Sequence, residues 1–387
     1  MERIRLLRIT TVPISLKYLL RGQLSFMQSQ AMEVMAVSAH GPEVASIKQE
    51  GIPHAIIPFT RTITPLQDFL CLLRLVKLIR TFRPQIVHSH TPKAGLLGMI
   101  TAWLCGVPIR LHTVAGLPLM EAKGIKRWVL RLTERLTYSC ATKIYPNSNG
   151  LLKFIQAEFK TQNSKLKTIG RGSSNGIDLG YFAVTSDLKV EAIRTRERIK
   201  IKGDEFLFCF VGRMVKNKGL VELIQAFVKI HDSGKKVRLL LVGHFEDDLD
   251  PLPKEIRALI NTHEGIVQAG FQPDVRPWII ASDVLVLPSY REGFPNVLLQ
   301  AGALQRPCIA TNINGCNEII LDGRTGWLVP AKDGIALQAA MEKVLSDPDW
   351  RAEAGNEARK FIAENFEQSY VWNEILLEYK RLLSNVS

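Results

Sequence analysis

Along the chain, short apolar runs alternate with longer stretches in which apolar residues recur at three- and four-residue spacing. In the first half, the runs Arg5–Thr10, Glu33–Ser38, His54–Ile57, Gln85–His88, Ile109–Thr113, Lys143–Asn147 and Leu166–Ile169 predict strands. Between them lie amphipathic stretches such as Leu70–Thr81, whose leucines and isoleucine face one way and Arg74, Lys77 and Arg80 the other. Strands alternating with helices predict a doubly wound parallel sheet.

The pattern breaks at Gly170-Arg171-Gly172-Ser173-Ser174-Asn175-Gly176, which has no apolar residue and is rich in turn formers. This segment reads as a hinge, and a second series follows it. Strands are expected at Phe206–Val211, Val237–Val242, Ile266–Gln268, Val284–Leu287 and Cys308–Thr311. Helices are expected at Leu220–His231, Lys254–Thr262, Val275–Ala281, Asn296–Leu304, Ile335–Leu345, Trp350–Asn365 and Ser369–Ser384. The expected organisation is one α/β domain over 1–175 and a second over 176–365, with a C-terminal helix in 366–387 crossing back to the first. Two such domains leave a cleft between the carboxyl ends of their sheets, where open α/β folds bind ligands.

Length agrees, since 387 residues exceed one ordinary core. Charge adds an asymmetry: residues 1–190 hold 25 Lys and Arg against 10 Asp and Glu, net +15, while 191–387 hold 25 against 27, net −2. A basic first half suits an anionic membrane surface, a phosphorylated acceptor or nucleic acid, unless it is simply solvated. Nucleic acid is set aside, because no interleaved aromatics or recognisable motif accompany the charge. The six cysteines form no Cys-x-x-Cys pair and sit among apolar residues, which favours a reducing cytoplasm. Arg8 interrupts the apolar stretch of Met1–Leu20, so that stretch does not read as a signal peptide. The uncharged run Ala94–Ile109 is too short to span a bilayer and contains three glycines, so a buried helix is expected.

Two loops carry candidate chemistry. In Leu287-Pro288-Ser289-Tyr290-Arg291-Glu292-Gly293-Phe294-Pro295-Asn296 a strand ends, a polar turn follows, and Pro295 is placed to begin a helix. The free N–H groups and positive dipole end of such a helix suit a diphosphate, and Glu292 can accept hydrogen bonds from sugar hydroxyls. In Phe210-Val211-Gly212-Arg213-Met214-Val215-Lys216-Asn217-Lys218-Gly219, Gly212 closes a strand, and Arg213 and Lys218 offer a forked and a mobile cation for phosphate oxygens. Asp248-Leu249-Asp250 imitates a metal-binding Asp-x-Asp but lies in a polar loop and reads as solvated, because the two cations already supply positive charge.

The pair of motifs, Gly212-Arg213…Lys218-Gly219 and Glu292-Gly293-Phe294-Pro295, resembles the family 4 retaining glycosyltransferases of GT-B fold. Asn175-Gly176-Ile177-Asp178, Val87-His88-Ser89-His90-Thr91-Pro92-Lys93-Ala94-Gly95 and Leu111-His112-Thr113-Val114-Ala115-Gly116-Leu117-Pro118 extend the likeness over nearly the whole chain. They narrow it to a bacterial branch that builds capsule, O-antigen or glycoprotein glycans on polyprenyl diphosphate, including N-acetylgalactosaminyltransferases.

The resemblance implies a metal-independent transfer, with no cofactor, from a nucleotide-diphosphate donor such as a UDP-N-acetylhexosamine to a lipid-linked glycan. The chain would then sit in the cytoplasm, peripheral on the inner face of the cytoplasmic membrane. Arg213 and Lys218 would neutralise the leaving diphosphate, Glu292 would hold a sugar hydroxyl, and His112 would reach the donor sugar. Gly212, Ser289, Gly293, Phe294, Pro295 and Asn296 would line the donor, and position 300 would meet the ribose. The family pattern has a second Glu there, where this chain has Gln300, an uncharged acceptor. The first strand also ends in Thr10-Thr11-Val12-Pro13 without the glycine pair that many relatives carry. The alternatives are a nucleotide-sugar-binding partner that has lost turnover, or an epimerase or phosphorylase on the same fold.

Overall fold

The computed structural model describes residues 3–248 and 250–385. The chain divides into two compact units, one of residues 1–176 with 368–387 and the other of 177–367.

The first unit holds strands β1 Ile4–Ile9, β2 Met32–Ser38, β3 His54–Ile56, β4 Ile86–His90, β5 Ile109–Val114 and β6 Lys143–Pro146. The second holds β7 Phe206–Val211, β8 Val237–Val242, β9 Ile266–Gly270, β10 Val284–Leu287, β11 Cys308–Thr311 and β12 Gly326–Val329. All pairings are parallel, in the orders β3-β2-β1-β4-β5-β6 and β12-β11-β10-β7-β8-β9. Counted from its own first strand, each sheet therefore has the doubly wound order 3-2-1-4-5-6. The expected doubly wound α/β class holds for both units.

Strand composition explains the burial. The central strands β4, β10 and β11 are buried throughout, because helices cover both faces and leave no solvated side. The edge strand β9 alternates, with only Ile266 buried. In the first unit one sheet face packs against helices Pro65–Phe82, Pro92–Leu104 and Gly124–Cys140. The other face packs against the C-terminal helix Gln368–Ser384, through Val371, Ile375, Leu376, Tyr379 and Leu382.

The sequence reading differs from the structure at three places. Leu166–Ile169 is not a strand: Leu166 makes an isolated bridge to Ile144, and Leu166 and Ile169 are buried in different cores. Conversely, helix Ser186–Arg198 and strand β12 had no expected counterpart. β12 is short and its middle residues are only partly buried, so it lacks a continuous apolar run. Finally, the polar stretch Ser173–Asn175 is buried rather than loose. Ser173 N–H donates to Asn147 O, while Asn175 Oδ1 accepts from Gln23 Nε2 and from Trp372 Nε1.

Candidate active site

In the second unit the topological switch point falls between β7 and β10, which are adjacent in the sheet but far apart in sequence. The two loops singled out above leave the carboxyl ends of these two strands. After β7, Met214 N–H donates to His244 O, joining this loop to the one after β8. That joint places Arg213 beside Glu246, with Nη1 to Oε2 at 2.7 Å. A single 3-10 turn, Lys216–Lys218, follows. Asp250 braces it: its Oδ2 accepts from Asn217 N–H at 2.6 Å and its carbonyl from Lys216 N–H. Asp250 is thus a half-buried brace, whereas Asp248 is exposed; Leu249, between them, lies outside the described residues.

Gly219 ends the turn with φ +72°, and a Cβ there would lie 1.9 Å from the carbonyl oxygen of Pro288. Only glycine lets the two loop backbones approach this closely. Tyr290 N–H closes the contact by donating to Asn217 O at 2.9 Å. The consequence is an ion pair between Lys218 Nζ and Glu292 Oε1, with side chains only 17% and 12% exposed. From the loop after β11, Asn314 Nδ2 donates to Glu292 O, and Gly315, at φ +79°, leaves no room for a Cβ against Gly293 O. Three strand ends therefore fix the position of Glu292.

Helix Asn296–Ala303 begins just beyond, with no side-chain cap at Pro295. Leu298 N–H turns back onto Pro295 O, and the positive dipole end of the helix start suits an anion placed ahead of it. Asn296 and Gln300, one turn apart, are half-buried, while Leu299 is fully buried. Gly293 and Pro295 are buried, and Phe294 packs its ring on Phe366 with centroids 5.3 Å apart. Ser289 is also fully buried; its carbonyl accepts from Thr311 Oγ1, and its own hydroxyl has no partner. Of the residues named from the sequence in this unit, Gly212, Arg213, Lys218, Glu292, Asn296 and Gln300 retain surface.

In the first unit His112 lies in β5 and is 2% exposed. Its ring lies over Gly95, where a Cβ would come within 2.3 Å of Cε1. Nδ1 is 2.9 Å from Ser89 Oγ, which in turn lies 3.4 Å from Leu111 O. Burial pushes the imidazole down to about 4, so it is neutral at physiological pH. His88 and His90 belong to a separate buried network with Arg8. The fully buried Arg8 guanidinium donates to Tyr379 Oη and Gln23 Oε1, and its Nη2 is 2.8 Å from His90 Nε2. Tyr379 Oη in turn meets His88 Nδ1 at 2.6 Å. Arg8 and these histidines therefore join β1 and β4 to the C-terminal helix.

Several contributors gave no signal in the sequence. Glu246 and Asn314 act on partners 33 and 22 residues away, with no spacing motif, and Asp250, read from the sequence as part of a solvated Asp-x-Asp, instead braces Asn217 from 33 residues away. Tyr290 is similar: its hydroxyl meets both carboxylate oxygens of Glu222 at 2.8 Å, and Lys332 lies 4.8 Å from its ring centroid. Among the described residues one group sits at metal-ligand separations, His231, Asp232 and His263. It lies at the far end of helix Leu220–Asp232 from Lys218, roughly 18 Å away at 1.5 Å per residue. His263 Nδ1 already accepts from Gly265 N–H, which leaves the ring proton on Nε2.

Comparison with known proteins agrees with this layout. The group 1 glycosyl transferase family model matches residues 205–347, and a glycosyl transferase 4-like domain model matches residues 22–172. The capsular polysaccharide biosynthesis glycosyltransferase CapM of Staphylococcus aureus is 34% identical over 99% of this chain and 98% of its own. An Escherichia coli UDP-Gal:alpha-D-GlcNAc-diphosphoundecaprenol alpha-1,3-galactosyltransferase is 29% identical over 74% of this chain and 73% of its own. Among solved structures, a glycosyltransferase from Rickettsia africae superposes with TM-score 0.79 at 19% identity, covering 100% of both chains. HepE of Anabaena, solved with UDP, gives TM-score 0.79 at 17% identity over 98% of this chain and 100% of its own. The chain belongs to the family 4 glycosyltransferases of GT-B fold, in the company of enzymes of bacterial polysaccharide synthesis.

Proposed function

We propose that the chain transfers a sugar, with retention of configuration, from a UDP-sugar such as a UDP-N-acetylhexosamine to a glycan carried on polyprenyl diphosphate. The observation that carries this reading is the Lys218–Glu292 pair, held beside an uncapped helix start at the switch point of the second sheet. A diphosphate set against this helix start meets Lys218 and Arg213, whose charges oppose the negative charge that grows on the departing phosphate. Glu292, fixed from three loops, accepts from a hydroxyl of the sugar. The bond from the anomeric carbon to the β-phosphate oxygen breaks, and the bond to the acceptor oxygen forms on the same face. The acceptor's proton passes to the departing phosphate oxygen, so the step needs no separate base. On the family pattern, His112, neutral by burial, would meet a hydroxyl of the donor sugar.

The donor and acceptor classes are supported by the names of relatives: the E. coli enzyme's name specifies UDP-Gal and a GlcNAc-diphosphoundecaprenol acceptor. No described helix is long and apolar enough to cross a membrane. On this reading the chain meets its lipid-linked acceptor from the inner face of the cytoplasmic membrane. The test is a panel of nucleotide sugars assayed with purified protein for heat stabilisation and for nucleoside diphosphate release in the presence of a lipid-diphosphate-linked amino sugar. Release with a UDP-sugar, and α-linked product from an α-linked donor, is expected. Release only from GDP-sugars, or inverted product, refutes the reading.

A further inference from the structure

Helix Gly124–Cys140 buries one face and carries an apolar stripe on the other. Glu134, Thr137 and Tyr138 are buried on the inner one. On the opposite side Ile125, Trp128, Leu132 and Leu136 are 84%, 65%, 53% and 44% exposed. At 100° per residue these four fall within a sector of about 80°, where a helix on a soluble protein ordinarily presents polar residues. Lys126 flanks the stripe on one side and Arg135 on the other, where Arg131 is held 3.3 Å from Glu158 of the neighbouring helix. No exposed position of this helix carries an acid, since its single carboxylate, Glu134, is buried. Helix Pro65–Phe82 repeats the arrangement: Leu66, Phe69, Leu70 and Leu73 are exposed, and the same stripe continues into Lys77 and Arg80. Both helices pack against helix Pro92–Leu104, so they share one face of the sheet. Both begin at the edge where the strands end.

We infer that this face docks on an anionic lipid bilayer. The zone between headgroups and acyl chains accepts Trp, Leu and Ile side chains, while lipid phosphates take the flanking Lys and Arg. Charge decides against a second copy of this chain, because two such faces would bring like charges together. It also decides against an ordinary protein partner, whose interface would be met by mixed charge, whereas the exposed charges on the stripe's borders, Lys126 and Arg135, are basic and Glu158 is taken up by Arg127 and Arg131. This inference deepens the membrane placement proposed above by assigning the surface that makes contact.

Co-sedimentation of the full chain, without substrates, tests it on vesicles of phosphatidylcholine alone and of phosphatidylcholine with phosphatidylglycerol. Wild type should bind only the anionic vesicles, less so as salt rises. Trp128→Ala/Leu132→Ala, which removes apolar insertion, and Lys126→Glu/Arg135→Glu, which reverses the flanking charge, are all surface changes and should each weaken binding by about tenfold or more. Wild-type binding that both variants retain overturns this face but leaves the membrane placement standing. Absence of wild-type binding overturns both. Self-association that disappears in Trp128→Ala/Leu132→Ala, without vesicle binding, reassigns the face to a second copy. Nucleoside diphosphate release with a water-soluble acceptor should be unchanged in the variants, so the chemistry is judged separately.

Discussion

Gly219→Ala should leave the second unit folded and yet disable the site. The new Cβ would lie 1.9 Å from Pro288 O, against the 3.0 Å below which such contacts essentially never occur, so the two loops must part by about 1.1 Å. The backbone also sits at φ +72°, which costs an alanine roughly 1–2 kcal/mol by itself. Parting the loops separates Lys218 from Glu292 and breaks the Tyr290–Asn217 hydrogen bond, and a 1 Å misplacement of reacting groups costs on the order of a hundredfold in rate.

A matched control isolates the overlap from the dihedral strain. Gly234, at φ +81°, has nothing within 4 Å of an added Cβ, so Gly234→Ala carries the φ cost without the clash. Both variants should melt a few degrees below wild type. Steady-state turnover should fall about a hundredfold in Gly219→Ala and remain near wild type in Gly234→Ala. Equal turnover in the two variants would show that the close approach of these loops does not set the site's geometry.

Arg213→Ala and Lys218→Ala should each lower the chemical rate by on the order of tenfold to a thousandfold in single-turnover assays, with activity unaffected by EDTA; a strict metal requirement would contradict the role given to these cations. Gln300→Glu should tighten donor binding by up to about tenfold in calorimetry and Gln300→Ala should weaken it, since charged acceptors make the stronger hydrogen bonds; equal affinities in all three proteins would mean that position 300 does not touch the nucleotide. Glu134 is 5% exposed with Oε2 unpartnered, and burial, partly offset by Tyr138, pushes its carboxyl up to about 7 from an ordinary 4.5. The folded state holds this proton where the unfolded chain releases it, so the contribution of Glu134 to stability is greatest below about pH 4.5 and is lost as pH rises to 7, by about 3 kcal/mol in all. Glu134→Gln should therefore narrow the difference in melting temperature between pH 5 and pH 8; an unchanged difference would remove Glu134 as its source.

By itself the sequence determined the two series of parallel strands and where most of them lie, because strand and helix periods, glycine turns and Pro295 act over a few residues. It also marked the loops after β7 and β10 as suited to phosphate, since Gly212, Arg213, Lys218 and Glu292 stand at strand ends. Strand order was beyond it, and with that order came the meeting of Lys218 with Glu292, 74 residues apart. The same reason hid Glu246 and made Asp250 read as solvated, since both act across neighbouring strand ends. It also hid the burial of Arg8, whose hydrogen-bond partner Tyr379 lies 371 residues away on the last helix. Exposure was decided at the same level. A stripe such as Ile125, Trp128, Leu132 and Leu136 has the spacing of a core face, and only the packing of Glu134, Thr137 and Tyr138 beneath it turns those four residues outward.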